Sequence, residues 1–279
     1  MRKGINIWTF RDQSDLPRCM ALARAAGFEG IELAFALEEG PINPSSTAED
    51  MRAIVRAAQA AGIEITSLAS PVSWKYNMIS DDREVRARCR ELTARSLELA
   101  QALEADTVLI VPGFTGPFMA GPPAVRDYDV AYNRALEELS ALAPVAARCG
   151  VVIGVENVWN RFLTSPIEMR GLIDQVAQPS VQAFFDVGNV LRTGYPEHWI
   201  RALGQRIKRV HFKDYKINVG TLEGFVDLLT GDVNYPEVMA ALREVGYDGW
   251  CIAEIGPRRW QPESTLEATS RAMDIIFSA

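Results

Sequence analysis

Short apolar runs recur along the chain, and between them lie longer segments whose apolar residues return near every third or fourth position. The first pattern predicts strands and the second amphipathic helices. Strands are expected at 4–8 (GINIW), 30–34 (GIELA), 64–70 (EITSLAS), 107–111 (TVLIV), 151–155 (VVIGV), 181–185 (VQAFF), 207–212 (IKRVHF) and 250–254 (WCIAE). Helical spacing runs through LPRCMALARAAG, EDMRAIVRAAQAAG, REVRARCRELTARSLELAQALEA and YNRALEELSALAPVAARCG. Gly27, Gly62, Gly150 and Gly246 close several of these helices before the next strand. Glycine there supplies the left-handed backbone that ends a helix.

Strands that are apolar at nearly every position imply parallel pairing with both faces covered. Eight strand–helix units in 279 residues match an α/β chain folded as a single (β/α)8 barrel over residues 1–279. A doubly wound open sheet is the runner-up. It usually has fewer strands, and for a dinucleotide it needs a glycine fingerprint that GINIWTFRDQ lacks. Two loops are long, PGFTGPFMAGPPAVRDYD after strand four and KDYKINVGTLEGFVDLLTGDVNYP after strand seven. Loops that follow strands build the active face of this fold, so both are candidate lids, and the second is expected to carry a short helix.

Composition narrows the class. With 48% apolar and 23% charged residues the chain reads as a soluble globular protein. No apolar run approaches the roughly 20 residues that span a bilayer, and MRKGINIWTF lacks the features of a secretory signal, so the cytoplasm is expected. A net charge of −7 argues against a nucleic-acid partner but not against a small anionic substrate. Cys19, Cys89, Cys149 and Cys251 are scattered and read as reduced, packed thiols.

Candidate chemistry gathers at four strand ends. Glu156 closes strand five, Asp186 follows strand six, His211 sits in RVHFKD and Glu254 ends strand eight, at intervals of 30, 25 and 43 residues. Each interval is enough for one helix and a return strand, so the four should share one barrel mouth. Singly, each has a plainer reading: a helix cap or salt bridge for either Glu, a turn residue for Asp186, a satisfied core histidine for His211. Their coincidence at successive strand ends favours a metal site. Three converging carboxylates repel one another, and a dication removes that penalty. One neutral nitrogen with carboxylate oxygens suits Mn²⁺, Mg²⁺, Co²⁺ or Zn²⁺, with Mn²⁺ favoured, and leaves positions open for substrate oxygens.

Around this set, Asn157, Lys213 and Asp214 stand beside presumed ligands on the same rim and are candidates for binding substrate or orienting a neighbour. Glu32, near the end of strand two, is a candidate for substrate hydroxyls or a buried polar network. Trp8 and Trp74 are candidates for an apolar wall, with core packing the plainer reading for Trp8. Among Lys75, Arg161, Arg192, Arg258 and Arg259, one or two are candidates for a phosphate. His198 is assigned no chemistry.

GVENVWNRFLTSP, FFDVGNVL, RVHFKDY, GDVNYPEVMAAL and GYDGWCIAE resemble the xylose isomerase-like TIM-barrel superfamily. More narrowly they resemble its sugar-phosphate isomerase/epimerase branch, whose relatives include ketose 3-epimerases and pentulose-phosphate 3-epimerases. The resemblance spans nearly the whole chain. It implies that Glu156, Asp186, His211 and Glu254 bind one divalent ion, and that the two glutamates handle protons on opposite faces of a ketose through an enediolate. Free-ketose epimerases carry a His where this chain has Asn189, an Arg shortly after the metal His where it has KDYKI, and a further Glu absent from NVWNRFL. Asn189 and the Lys213–Asp214 pair look closer to the sugar-phosphate branch, where Asn189 joins the substrate-binding candidates.

The partner expected is therefore a small sugar or sugar phosphate, and a homo-oligomer suits the architecture. A lyase or dehydratase acting on an oxidised sugar or inositol derivative through the same enediolate is the alternative. A phosphodiesterase acting on abasic DNA would need a multi-metal cluster with more than the two histidines present. A non-catalytic binding protein would leave the open metal site without a purpose.

Overall fold

The computed structural model describes residues 1–116 and 127–279. Eight parallel strands close into a barrel: β1 (Arg2–Asn6), β2 (Gly30–Ala34), β3 (Glu64–Ser70), β4 (Thr107–Ile110), β5 (Val152–Glu156), β6 (Val181–Asp186), β7 (Ile207–Phe212) and β8 (Trp250–Ala253). Neighbours in sequence are neighbours in the sheet, and β8 closes onto β1. A helix follows each strand: α1 (Leu16–Ala25), α2 (Ala48–Ala61), α3 (Arg83–Ala102), α4 (Tyr128–Cys149), α5 (Pro166–Val176), α6 (Pro196–Leu203), α7 (Tyr235–Glu244) and α8 (Ser264–Phe277). Among the described residues, no helix is long and apolar enough to cross a membrane.

Local signals set these boundaries. Thr47 and Ser165 begin α2 and α5 with reciprocal capping boxes to Asp50 and Glu168. Gly62 and Gly150 end α2 and α4 at φ 68° and 66°, a conformation that costs other residues a Cβ clash.

Strand pleating sorts side chains into two compartments. Ile31, Leu33, Val181, Ala183, Phe185, Cys251 and Ala253 pack outward in the core beneath the helices. Ala69, Leu109, Phe184, Trp250 and Ile252 form a separate small cluster inside the barrel. Two glycines make room for its aromatic rings. A Cβ on Gly154 would stand 2.9 Å from Phe184 Cδ2, and one on Gly30 would stand 2.7 Å from Trp250 Cζ3. The barrel is thus plugged below, and the residues two positions further along each strand face the mouth.

Two expectations shift. The first strand ends at Asn6, whose side chain accepts the Trp8 N–H at 2.7 Å and turns Ile7–Thr9 into a 3-10 helix. Trp8 therefore stands on a turn rather than a strand. The loop after β7 carries a 3-10 turn, Leu222–Gly224, and also an antiparallel ribbon pairing Asp214–Tyr215 with Phe225–Val226. Most of the loop singled out after strand four, residues 117–126, lies outside the described residues.

Candidate metal centre

The inward parity that places Gly154 and Phe184 in the plug also places Glu156 and Asp186 above them. Asp186 is the registered neighbour of His211 on β7, and Glu254 follows β8 with its N–H donated to Phe212 O at 3.0 Å. One donor atom from each of Glu156, Asp186, His211 and Glu254 lies within 4.8 Å of the other three. His211 Nδ1 is 3.0 Å from Glu254 Oε2, 3.4 Å from Glu156 Oε1 and 3.9 Å from Asp186 Oδ2. The Asp186 and His211 side chains are fully buried, whereas Glu254 is 19% exposed and faces the mouth.

The opposite ring nitrogen of His211 is tied down. Nε2 lies 2.7 Å from Glu32 Oε1, and Glu32 also accepts from Asn6 Nδ2 at 2.5 Å and Ser67 Oγ at 2.6 Å. Donation of Nε2–H to Glu32 leaves the Nδ1 lone pair facing the carboxylates, the tautomer a cation needs. Phe184 packs edge-on against the ring, with centroids 4.5 Å apart.

Electrostatics agree with a set built around positive charge. Burial pushes the Glu156 carboxyl up to about 7, against its contact with His211 and with help from Glu254. Burial likewise raises Asp186, against the pull of Lys213. Burial also penalises the Glu254 carboxylate, but Lys213 and His211 outweigh it and bring the group down to about 2. Burial disfavours the His211 imidazolium, yet Glu32, Glu156 and Glu254 hold it well above the usual histidine value. Lys213 is raised in the same way, with burial outweighed by Asp186, Glu254 and Glu156. Its Nζ lies 3.0 Å from Glu254 Oε2 and 3.2 Å from Asp186 Oδ2. Asp186 Oδ2 is buried and, beyond this ammonium contact, has no hydrogen-bond partner among the described residues. An oxygen-rich set, with a buried carboxylate oxygen that lacks a hydrogen bond and an imidazole whose Nδ1 faces the carboxylates, fits one divalent ion.

The remaining candidates fall into three groups. Lys213 and Trp8 line a cavity of about 360 Å³ with Glu254, Phe225 and Asp227, so both reach the mouth. Asp214 and Glu32 are instead committed to the protein, and so is the amide of Asn157, although that residue also lines a cavity. Asn157 donates to Asp186 O at 2.8 Å and accepts from Asp186 N at 2.9 Å, so both ends of its amide are spent joining β5 to β6. Asp214 does not pair with Lys213; it accepts from the backbone N–H groups of Tyr215, Gly231 and Val233. Glu32 is fully buried beneath His211 and cannot meet a sugar hydroxyl. Asn189 does both jobs, donating its N–H to Asp186 Oδ1 at 2.8 Å while lining a second cavity.

Among the cations considered for a phosphate, Lys75 pairs with Glu38 and Arg258 with Asp227. Arg259 stacks over Trp260, while Arg161 and Arg192 line the second cavity. Trp74 stacks on Phe114 with centroids 6.2 Å apart. His198 contacts the ring of Tyr195. Sequence reading missed Asn6 and Ser67, the groups that hold Glu32. Each interrupts an apolar strand on the inward parity, which was the available signal.

Similar proteins share this architecture. A solved D-psicose 3-epimerase superposes with a TM-score of 0.83 at 18% identity, covering 100% of both chains. A solved L-ribulose 3-epimerase gives 0.79 at 19% identity, covering 99% of this chain and 94% of that one. Likeness at that identity bears on fold alone. In sequence, an L-ribulose-5-phosphate 3-epimerase of Salmonella paratyphi C is 23% identical over 246 residues, 85% of this chain and 80% of that protein. The pattern of the xylose isomerase-like TIM barrel family matches residues 20–276, and the chain belongs to that family.

Proposed function

We propose that this chain is a divalent-metal-dependent isomerase or epimerase of a ketose or ketose phosphate. Glu156, Asp186, His211 and Glu254 are its metal ligands, and Glu156 and Glu254 also carry the protons. The observation that carries this reading is the convergence of those four donors within 4.8 Å at the barrel mouth. The ketose substrates named for the epimerase relatives support the substrate class.

Glu156, Asp186, His211 and Glu254 would hold a divalent ion, which would supply electrophilic pull on the ketose carbonyl and its neighbouring hydroxyl and so acidify the adjacent C–H. The chain's own groups do the rest. Glu156 and Glu254 enter from β5 and from the end of β8, separated by β6 and β7, and so address a sugar from different sides. Glu156 takes the proton from one face of the carbon, and Glu254 returns one to the other face, which inverts it. Return of the same proton to the neighbouring carbon by one base gives aldose–ketose isomerisation instead. Lys213, charged and 3.0 Å from Glu254, keeps that carboxylate ionised and offers donors to a substrate oxygen. Trp8 supplies an apolar side to the cavity that Glu254 and Lys213 share. Mn²⁺ is the preferred ion on the hardness of the oxygen ligands.

Protein loaded with Mn²⁺ and incubated in D₂O with a panel of ketoses and ketose phosphates tests this. The expected result is deuterium at a single carbon of the accepted sugar, with the carbon skeleton and its oxygens intact. Release of water or a fragment would favour the lyase reading, and no exchange with any member would overturn both.

A further inference from the structure

The cavity beside the metal centre has a charge pattern unlike the rest of this acidic chain. It measures about 430 Å³ and lies between the loops after β5, β6 and β7. Its described lining includes two guanidinium groups, Arg161 and Arg192, and no carboxylate. Neither arginine makes an ion pair among the described residues. Arg258 on the same rim is by contrast matched by Asp227. The neighbouring cavity at Glu254 is the reverse, with Asp227 and Glu254 against Lys213. An anion is therefore favoured in the first cavity and disfavoured in the second.

Both arginines are held by their surroundings. Arg192 lies over the Trp159 ring at 4.6 Å, and the Trp159 indole N–H donates to Asn189 O at 2.8 Å. Arg161 has a left-handed backbone at φ 57°, which is strained for a residue with a Cβ. The Arg161 carbonyl accepts from Thr115 Oγ1 at 2.8 Å, and Asn160 Nδ2 donates to Gly113 O at 2.6 Å, so the loop is pinned to the chain after β4. The cavity meets the metal centre through Asn157 and Asn189, whose polar groups bond to the Asp186 backbone and carboxylate. Asn157 and Asn189 thus form the wall that the cavity shares with the four ligands, and an anion bound there lies just across it.

We infer that this cavity takes the phosphate of the substrate, with Arg161 and Arg192 as its cations, so the enzyme acts on ketose phosphates in preference to free ketoses. The inference rests on the proposed sugar chemistry for its substrate but not for its anion site. Two arms keep these apart. By calorimetry, the wild type is expected to bind inorganic phosphate, and Arg161→Gln with Arg192→Gln to weaken that binding at least tenfold. In turnover, the same double variant is expected to raise KM for a ketose phosphate at least tenfold relative to its KM for the free ketose. Arg192→Lys should recover part of this, since charge without the planar fork binds phosphate less well.

Equal changes for the phosphorylated and free sugar, or unchanged phosphate binding in the double variant, would overturn the assignment. So would phosphate binding that weakens while the KM ratio stays constant, since the phosphate would then not be the substrate's own. Phosphate binding that depends on both arginines, in a protein that turns over neither kind of sugar, supports the anion site and counts against the sugar chemistry alone. Circular dichroism melting of each variant separates these results from misfolding.

Discussion

Glu32 Oε1 on β2 lies 2.7 Å from His211 Nε2 on β7, and both side chains are fully buried. Asn6 and Ser67 hold the carboxylate in place, so the imidazole cannot rotate without breaking a network satisfied from four strands. Such an outer partner fixes the ring's orientation and raises its basicity, and its loss typically costs ~10–100-fold in metal affinity. Glu32→Gln keeps an acceptor for the Nε2–H but loses the charge. Mn²⁺ titration should show affinity lower by about tenfold for that variant and more for Glu32→Ala. Affinity equal to wild type would remove Glu32 from any role at the centre.

The two proposed proton carriers can be separated from simple ligand loss. Glu156→Gln and Glu254→Gln should each lower kcat by ~10²–10⁴-fold, the range for a positioned acid or base. At saturating Mn²⁺, confirmed by electron paramagnetic resonance, the loss should persist. Each variant should also affect one direction of exchange first, so that deuterium washes in at a carbon that is no longer inverted. Full recovery of turnover at high metal would reduce both residues to ligands.

Asp214 should matter for the loop rather than for the chemistry. Its carboxylate accepts backbone N–H groups at 2.9 Å from Tyr215, 3.0 Å from Gly231 and 3.1 Å from Val233. A Cβ on Gly231 would overlap the same carboxylate, so the turn is built around it. Asp214→Ala strands one buried amide, Tyr215, at ~1–3 kcal/mol for a buried unsatisfied group, and two part-buried ones that cost less. Hydrogen exchange at Gly231 and Val233 should speed up together, and denaturant midpoints should fall. Protection unchanged from wild type would contradict this anchoring role.

Metal-free protein should lose stability as pH rises across the window set by Glu156. Its folded pKa of about 7 lies above the ordinary glutamate value of 4.5, so between those values the folded state holds a proton the unfolded state has released. Its contribution is complete below the lower value and lost as pH rises through the upper one. His211, also raised, acts in the same direction above 6.5. Glu254 is shifted the other way, and its contribution disappears only as pH falls below 4.5 towards about 2. Melting with chelator present should therefore show a falling midpoint between pH 4.5 and 7. Saturating Mn²⁺ should flatten or invert that slope, because the ion takes the place of the protons. A chelated protein whose midpoint rises over this interval would contradict it.

The order of strands and helices was legible in the sequence because each element is specified locally. Apolar residues at nearly every position of VVIGV and VQAFF, against spacing near 3.6 in EDMRAIVRAAQAAG, separate strand from helix without any distant partner. The four strand-end ligand candidates were legible for the same reason, since in an eightfold barrel a polar residue closing an apolar strand has one rim to occupy. Roles that depend on a second residue were not. Glu32 and His211 are 179 positions apart, and nothing in GIELA says which strand its carboxylate will meet. That is decided by barrel closure and by register shifts between Ile31 and Glu32 on β2 and between Ala183 and Phe184 on β6. The second of those shifts sets Asp186 level with His211. The same closure set the Asn157 amide against the Asp186 backbone to clamp β6, gave Asp214 three amides to hold, and left Arg161 and Arg192 facing one cavity without a carboxylate. Periodicity is a property of a few consecutive residues, whereas a hydrogen-bond partner or a cavity's charge belongs to the packed ensemble of strands and loops, and only the tertiary structure decides it.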